Sequence, residues 1–236
     1  MKRAALVLLV LLAVAVIGWR ISRSRSFQFF GGLVTRVDTA EPVVALTFDD
    51  GPTALGVDFI LPLLDSLDVR ATFFLTGREI AESPELAPRL IAAGHAIGNH
   101  SYTHSQMVLK SLSFVRDEIE QTDALIRQAG WTGDIPFRPP YGKRLLVLPY
   151  YLDATGRKTL LWDVEPESNQ GPEPDPVAMA TDAIEYARPG SIIIMHIMYE
   201  SRRTSREAIP LIVDGLRDRG FRFVTVQELM QAYAND

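Results

Sequence analysis

From residue 43 to residue 225 the chain alternates short apolar runs with longer stretches whose apolar residues recur every three or four positions. The short runs occupy 43–48, 71–75, 159–164, 191–195 and 221–225, with weaker ones at 96–98 and 135–138. The first, Val43-Val44-Ala45-Leu46, is too short and too β-branched for a helix, and all of them predict buried strands. The longer stretches predict helices. Over 56–67, Ile60, Leu63, Leu64 and Leu67 share one face. Ser83-Pro84 offers an N-cap and a first-turn proline for a helix that Gly94 closes. Another is expected over 113–129, before Gly130, and a capping box at Thr204-Ser205-Arg206-Glu207 opens one that stops near Gly220. A second box, Thr225-Val226-Gln227-Glu228, opens the last.

Strands that alternate with helices imply βαβ units and a parallel sheet. About seven repeats suggest a closed or nearly closed barrel, yet the chain is shorter than the roughly 250 residues of a regular eight-fold one. The expected fold is therefore α/β, an irregular, reduced (β/α) barrel of about seven parallel strands, forming one domain over 42–236.

The N-terminus has a different pattern. Residues 4–19 are uncharged and apolar behind Lys2-Arg3, with the build of a signal sequence or a short anchor. The run is below the roughly 20 residues that span a bilayer comfortably, although Trp19 and Ile21 extend it. A small-x-small cleavage site is not obvious before Arg20, and residues 1–22 read as an uncleaved membrane anchor in preference to a cleaved signal sequence. The domain then lies outside the cytoplasm, and residues 23–41, mixing Ser, Arg and Gly, read as a linker. Five of the 24 basic residues fall within 1–25, leaving 19 against 29 acidic ones. So acidic a domain argues against nucleic acid as the partner. With no cysteine, thiolate metal sites, disulfides and a cysteine nucleophile are excluded.

The candidate chemistry gathers where strands end, which in such barrels is the active face. Thr47-Phe48-Asp49-Asp50-Gly51-Pro52 holds two carboxylates at the lip of the first strand, leaving it in different directions. One can hold a cation while the other moves protons. After 96–98 come His100 and His104, four apart as on one helical turn, able with Asp50 to form a two-histidine, one-carboxylate metal site. Phe137-Arg138-Pro139-Pro140-Tyr141-Gly142 is a stiff loop, and Arg138 near Asp49 would keep that aspartate ionised. A fully apolar strand ends in His196, whereas His95 reads as structural or exposed.

Taken together and in this order, these motifs resemble the polysaccharide deacetylase family, the NodB-homology domain, over about residues 42–230. The resemblance implies a metal-dependent hydrolase that removes N-acetyl groups from amino sugars of a peptidoglycan- or chitin-like polymer. It implies that Asp50, His100 and His104 hold one divalent ion, usually zinc. It further implies Asp49 as general base tuned by Arg138, the Tyr141 backbone N–H as an oxyanion donor, and His196 as general acid. One family feature is altered: the Asp-Trp pair near the fourth motif is replaced within Trp162-Asp163-Val164-Glu165-Pro166-Glu167. Asp163, Glu165 or Glu167 must then orient His196. Two other readings stand beside this one: an inactive carbohydrate-binding protein on the same scaffold, and a non-haem iron oxygenase, which also uses two histidines and a carboxylate.

Overall fold

All seven residues of Val43–Asp49 are buried, and a strand buried on both faces needs helices over its sheet. Around this strand a computed structural model, which describes residues 2–171 and 174–233, sets an α/β barrel. In chain order the elements run α1 (Lys2–Ser22), β1 (Leu33–Val34), β2 (Val43–Asp49), α2 (Ala54–Ser66), β3 (Thr72–Leu75) and α3 (Gly77–Glu82). There follow α4 (Leu86–Ala92), β4 (Ala96–Asn99), α5 (Leu112–Gln128), α6 (Val147–Ala154) and β5 (Thr159–Leu160). The chain continues through α7 (Pro176–Tyr186), β6 (Ile192–His196), α8 (Arg203–Asp218), β7 (Arg222–Phe223) and α9 (Val226–Tyr233).

The strands pair in parallel in the order β4-β3-β2-β6. Single-residue bridges close the ring, from Asn99 to Phe137, from Phe137 to Thr159 and from Val164 to Ile193. β7 pairs with the first two residues of β2, and β1 with β5. The reduced parallel barrel is thus as expected, but two staves are thinner than their apolar runs suggest. Of 135–138 only Phe137 bridges its neighbours, and Pro136 and Pro139 on either side bring no ladder donor. Of 159–164, only Thr159–Leu160 and the bridge at Val164 take part.

Alternation along β2 sorts the core. Val44, Leu46 and Phe48 pack outward with Ile60 and Leu64 of α2 and with Ile209 and Ile212 of α8. Val43 and Ala45 belong to a second cluster with Phe74, Ile192, Ile194 and Leu229. Asp49 shares their side of the strand by the period of two, at the end where the barrel opens.

Local chemistry departs from expectation in two places. The helix expected from Ser83-Pro84 begins at Leu86, because the Ser83 N–H instead closes α3 on the Glu79 carbonyl at 3.0 Å. The capping box at Thr204–Glu207 is not formed: α8 starts at Arg203, and Ser205 Oγ donates to Glu167. The box at 225–228 does form, with the Thr225 N–H donating to Glu228 Oε2 at 2.8 Å and the Glu228 N–H to Thr225 Oγ1 at 3.2 Å. Three helices, α3, α6 and α7, went unanticipated. For α7 a signal was present, since Asp175 caps the N–H groups of Val177 and Ala178 and Pro176 takes the first turn.

Among the described residues α1 is the one helix long and apolar enough to cross a membrane. Residues 23–41, expected as a linker, run along the domain. They carry β1, and Arg36 Nη1 donates to the Pro189 carbonyl at 2.8 Å.

His95 is buried. Its Nδ1 accepts the Ala71 N–H at 3.3 Å, its ring centroid lies 5.3 Å from that of Phe73, and its Nε2 has no partner among the described residues. Burial first, then the nearby Arg70, hold the imidazole down to about 4. The unfolded chain takes up this proton near the ordinary histidine value and the folded chain resists it, so stability falls as pH drops through that window. The loss from this one group should reach about 3 kcal/mol by the foot of the window. In His95→Gln that share of the acid sensitivity should vanish. Urea midpoints taken at about pH 7 and about pH 4.5 would check this; equal differences in the two proteins would place the sensitivity elsewhere.

Candidate active site

β2 ends in a turn that changes hand abruptly: Asp50 and Gly51 both have positive φ, 74° and 76°. Asp49 therefore stays within the barrel mouth while Asp50 is turned toward the next loop. Arg138 arrives from the neighbouring stave, wholly buried, and donates from Nη1 to Asp49 Oδ1 at 2.6 Å and to Thr47 Oγ1 at 2.9 Å. Its Nη2 donates to the Leu161 carbonyl at 3.1 Å, and its guanidinium lies 4.0 Å from the Phe74 ring. Burial pushes the Asp49 carboxyl upward, but Arg138, then His100 and His196, outweigh it and hold it below the usual carboxylate range.

His100 and His104 do not sit on a helical turn as expected. They lie in an irregular loop after β4, in which Ser101 and His104 are left-handed, φ 66° and 57°. The loop still brings both imidazoles to Asp50. His100 Nδ1–H donates to the Arg138 carbonyl at 2.8 Å, which leaves its Nε2 lone pair facing Asp49 Oδ2 at 3.5 Å and Asp50 Oδ1 at 3.9 Å. His104 Nε2 lies 3.3 Å from Asp50 Oδ1, and the three ligand atoms are all within 4.8 Å of one another. Burial and then His100 hold His104 below the ordinary histidine value, as a neutral ligand requires. In the neutral form of His100, lone pairs converge with no proton between them. A divalent cation fits that donor set.

Tyr141 is also left-handed, φ 59°, and its half-exposed ring stands 4.7 Å from the His104 ring. Of six non-glycine residues with positive φ among those described, four (Asp50, Ser101, His104 and Tyr141) line this site. Such strain, on the order of 1–3 kcal/mol per residue, gathers where surrounding contacts over-determine the backbone.

His196 is the register partner of Asp49 across the β2–β6 pair, so the two side chains leave adjacent strands at one level. Glu167 is the carboxylate that orients it. Glu167 Oε2 meets His196 Nδ1 at 2.5 Å, and Oε1 accepts the His196 N–H at 3.0 Å and the Ser205 hydroxyl. Burial lowers the imidazole, but Glu167, with Asp49 and Asp50 behind it, more than reverses this, and His196 lies above the ordinary histidine range. The other two candidates are committed elsewhere. Asp163 accepts the Ile192 N–H at 2.9 Å and the Ser191 hydroxyl at 2.8 Å, while Glu165 accepts Trp162 Nε1–H at 2.9 Å and pairs with Arg25.

Two supporting carboxylates escaped the sequence reading. Glu79 accepts the Gly51 N–H at 2.7 Å, the Thr76 hydroxyl at 2.8 Å and the Tyr199 hydroxyl at 2.7 Å, which holds the Asp50-Gly51 turn. Glu118, buried on α5, accepts the N–H groups of Tyr102 and Thr103 at 3.0 and 2.8 Å and the Thr103 hydroxyl at 2.7 Å. A signal for Glu118 did exist, since it shares the apolar face of Val115, Ile119 and Thr122. Glu118→Ala should strand two half-buried backbone donors and cost about 2–4 kcal/mol of stability. Bound metal, measured by elemental analysis, should fall with it as the His100–His104 loop loosens. A variant of unchanged stability would show that the loop holds itself.

The chain matches the polysaccharide deacetylase family over residues 36–159. It is 31% identical over 193 residues to the peptidoglycan-N-acetylmuramic acid deacetylase PdaC of Bacillus subtilis, covering 82% of this chain and 40% of that one, so it spans less than half of PdaC. Among solved structures it resembles the Bc1960 peptidoglycan N-acetylglucosamine deacetylase, with a TM-score of 0.76 and 28% identity over 84% of this chain and 92% of the other. It also resembles BA3943, a CE4 family pseudoenzyme from Bacillus anthracis, with a TM-score of 0.73 and 28% identity over 84% and 68% of the two chains. An oxygenase has no support from this barrel or these relatives. With its parallel barrel and its strand-end carboxylates and histidines, the chain belongs to the polysaccharide deacetylase family, a family of deacetylase enzymes.

Proposed function

We propose that this protein is an N-deacetylase acting on an acetylated amino-sugar polymer of the peptidoglycan or chitin kind. On this reading residues 42–236 are the catalytic domain and residues 1–22 tether it outside the cytoplasmic membrane. One observation carries the proposal. A carboxylate whose anion a buried arginine favours and an imidazole whose charged form a neighbouring carboxylate favours stand on adjacent strands beside a three-donor cluster. Hydrolysis of an amide needs such a set, because the attacking water must lose a proton and the amine must gain one to leave.

Asp50, His100 and His104 would hold one divalent ion, zinc by the match of two imidazoles and a carboxylate to its preferences, which when bound would polarise the acetyl carbonyl and acidify the attacking water. Arg138 keeps Asp49 anionic, so that Asp49 accepts the proton of that water as it attacks the carbonyl carbon. His196, its Nδ1 engaged by Glu167, delivers the Nε2 proton to the sugar nitrogen as the carbon–nitrogen bond breaks, leaving acetate and a free amine. The backbone N–H of Tyr141 donates to the oxyanion; one such donor is worth roughly 10²–10³ in rate. The inactive carbohydrate-binding reading draws support from the pseudoenzyme relative. Against it, every acid, base and ligand position implied by the family resemblance is filled in this chain.

Mass spectrometry of acetylated chitooligosaccharides and peptidoglycan fragments incubated with the protein should show loss of acetyl mass. Asp49→Asn should reduce turnover by at least about 10³-fold while the metal stays bound. An unaltered substrate with the wild-type protein would favour the inactive reading. The pH dependence separates the proton donor. With His196 acting as an acid from above the ordinary histidine value, kcat/KM should fall only as pH rises past that raised value. Glu167→Gln removes the anion that stabilises the imidazolium, so the alkaline limb should move toward lower pH. An alkaline limb that stays in place would take the general-acid role from His196.

A further inference from the structure

We infer that the domain face beside α1 lies on the bilayer surface, and that the active site takes its acetylated amino sugar from a glycan held at that surface by a lipid. The inference rests on the deacetylase reading above and on α1 crossing a membrane.

α1 does not join the domain through a free tether. Its last residue, Ser22, is buried, and its carbonyl accepts the Arg144 N–H at 3.0 Å. Gly18 lies against Leu145, and the Lys143 ammonium is 5.1 Å from the Trp19 ring. The buried Arg144 guanidinium then ties down the chain that follows, donating to the Ser24 carbonyl at 2.6 Å and to Gln28 Oε1 at 3.0 Å. A third donor reaches the Gly142 carbonyl at 3.0 Å, so one side chain joins the end of the anchor to the loop that carries Tyr141.

Around this junction the surface is apolar. Phe27 and Phe29 pack edge to face at 5.4 Å, Phe30 packs on Tyr150 of α6 at 5.7 Å, and all four remain exposed. Leu109, the most exposed of the large apolar residues at 86%, is on the loop whose Met107 bridges Arg144. A water-facing surface has no reason to concentrate such residues, whereas aromatic side chains beside the end of an apolar helix are what a bilayer interface selects. α1 has 21 residues, its most apolar 18-residue window has a mean hydropathy of 2.6, and at 1.5 Å per residue the helix reaches about 30 Å, the thickness of the hydrocarbon core. Its final turn, with Trp19, then falls at interface depth and the face follows directly from it. Arg20, Arg23, Lys110 and Lys143 add basic charge that suits anionic headgroups.

The active site is close to that interface. The Lys143 ammonium that meets Trp19 is also 5.6 Å from the Tyr141 ring, and Tyr141 is 4.7 Å from His104. Three short steps therefore separate the anchor's interfacial tryptophan from a proposed metal ligand. A glycan still attached to a membrane lipid is presented at this height, and a soluble oligosaccharide has to find it by diffusion in bulk.

The chain has no cysteine, so single labels can be placed cleanly in the full-length protein. Leu109→Cys, Tyr150→Cys and Asp65→Cys, the last on α2 across the barrel, would each carry a bimane in vesicles made with or without brominated acyl chains. Emission at 109 and 150 should drop several-fold in the brominated vesicles and emission at 65 should not. Equal emission at all three sites in both lipids would overturn the membrane face. Leu109→Glu with Phe29→Glu should slow deacetylation of a chitooligosaccharide carried on a lipid tail in the same vesicles several-fold, leaving the free oligosaccharide unaffected. Equal rates of the variant and the wild type on the lipid-linked sugar would overturn the substrate preference. Quenched labels on a wild-type protein that leaves both sugars acetylated would sink the deacetylase reading and leave the membrane face standing.

Discussion

Arg138 and Asp49 form an ion pair with essentially no access to solvent, and much of the barrel's mouth is arranged about it. The guanidinium reaches Thr47 and Asp49 on β2 and the Leu161 carbonyl beyond β5, and it lies over the ring of Phe74 on β3. It therefore joins three staves of the barrel from a fourth. A buried pair of this kind adds little stability over a well-packed apolar pair, yet removing one partner costs about 3–5 kcal/mol because a charge is left behind. Its value is in what it prevents. Arg138 favours the Asp49 anion, although burial alone pushes the carboxyl toward its neutral form.

The same device recurs around the site with different partners. Three glutamates set back from the three-donor cluster hold the surrounding segments: Glu79 the Asp50-Gly51 turn, Glu118 the loop of His100 and His104, and Glu167 the end of β6. Each accepts from a backbone N–H, and a charged acceptor makes a hydrogen bond roughly twice as strong as a neutral one. These contacts offset the left-handed backbone at Asp50, Ser101 and His104. The site can thus be irregular in φ and ψ and still hold its donor atoms in one place.

At the opposite scale, the N-terminal segment and the active site share one end of the molecule. Arg144 couples them by joining the residues just after α1 to the loop at 140–142. An anchor attached at the foot of the barrel would have turned the strand ends away from the membrane. If α1 crosses the membrane as proposed, the attachment at the barrel mouth turns them toward it.

How much of this could be read from sequence depended on the distance over which each feature is decided. The buried strands, most helices and the turn at Asp49-Asp50-Gly51-Pro52 follow from periodicity and from the backbone limits of Gly and Pro, which act over a few residues. The donor types for a metal site were legible for the same reason, since Asp50, His100 and His104 sit at strand ends that the pattern had already located. The choice among Asp163, Glu165 and Glu167 was not legible. It is made 29 residues away, where β6 meets the turn after Val164 and brings Glu167 under His196 while Asp163 caps Ile192. Arg144 was hidden likewise, because a charge becomes structural only once folding removes water from it. Local periodicity sufficed to place the strands and their ends; which charged groups face one another there was decided by the closing of the barrel, because only that closure brings distant residues together and excludes water from between them.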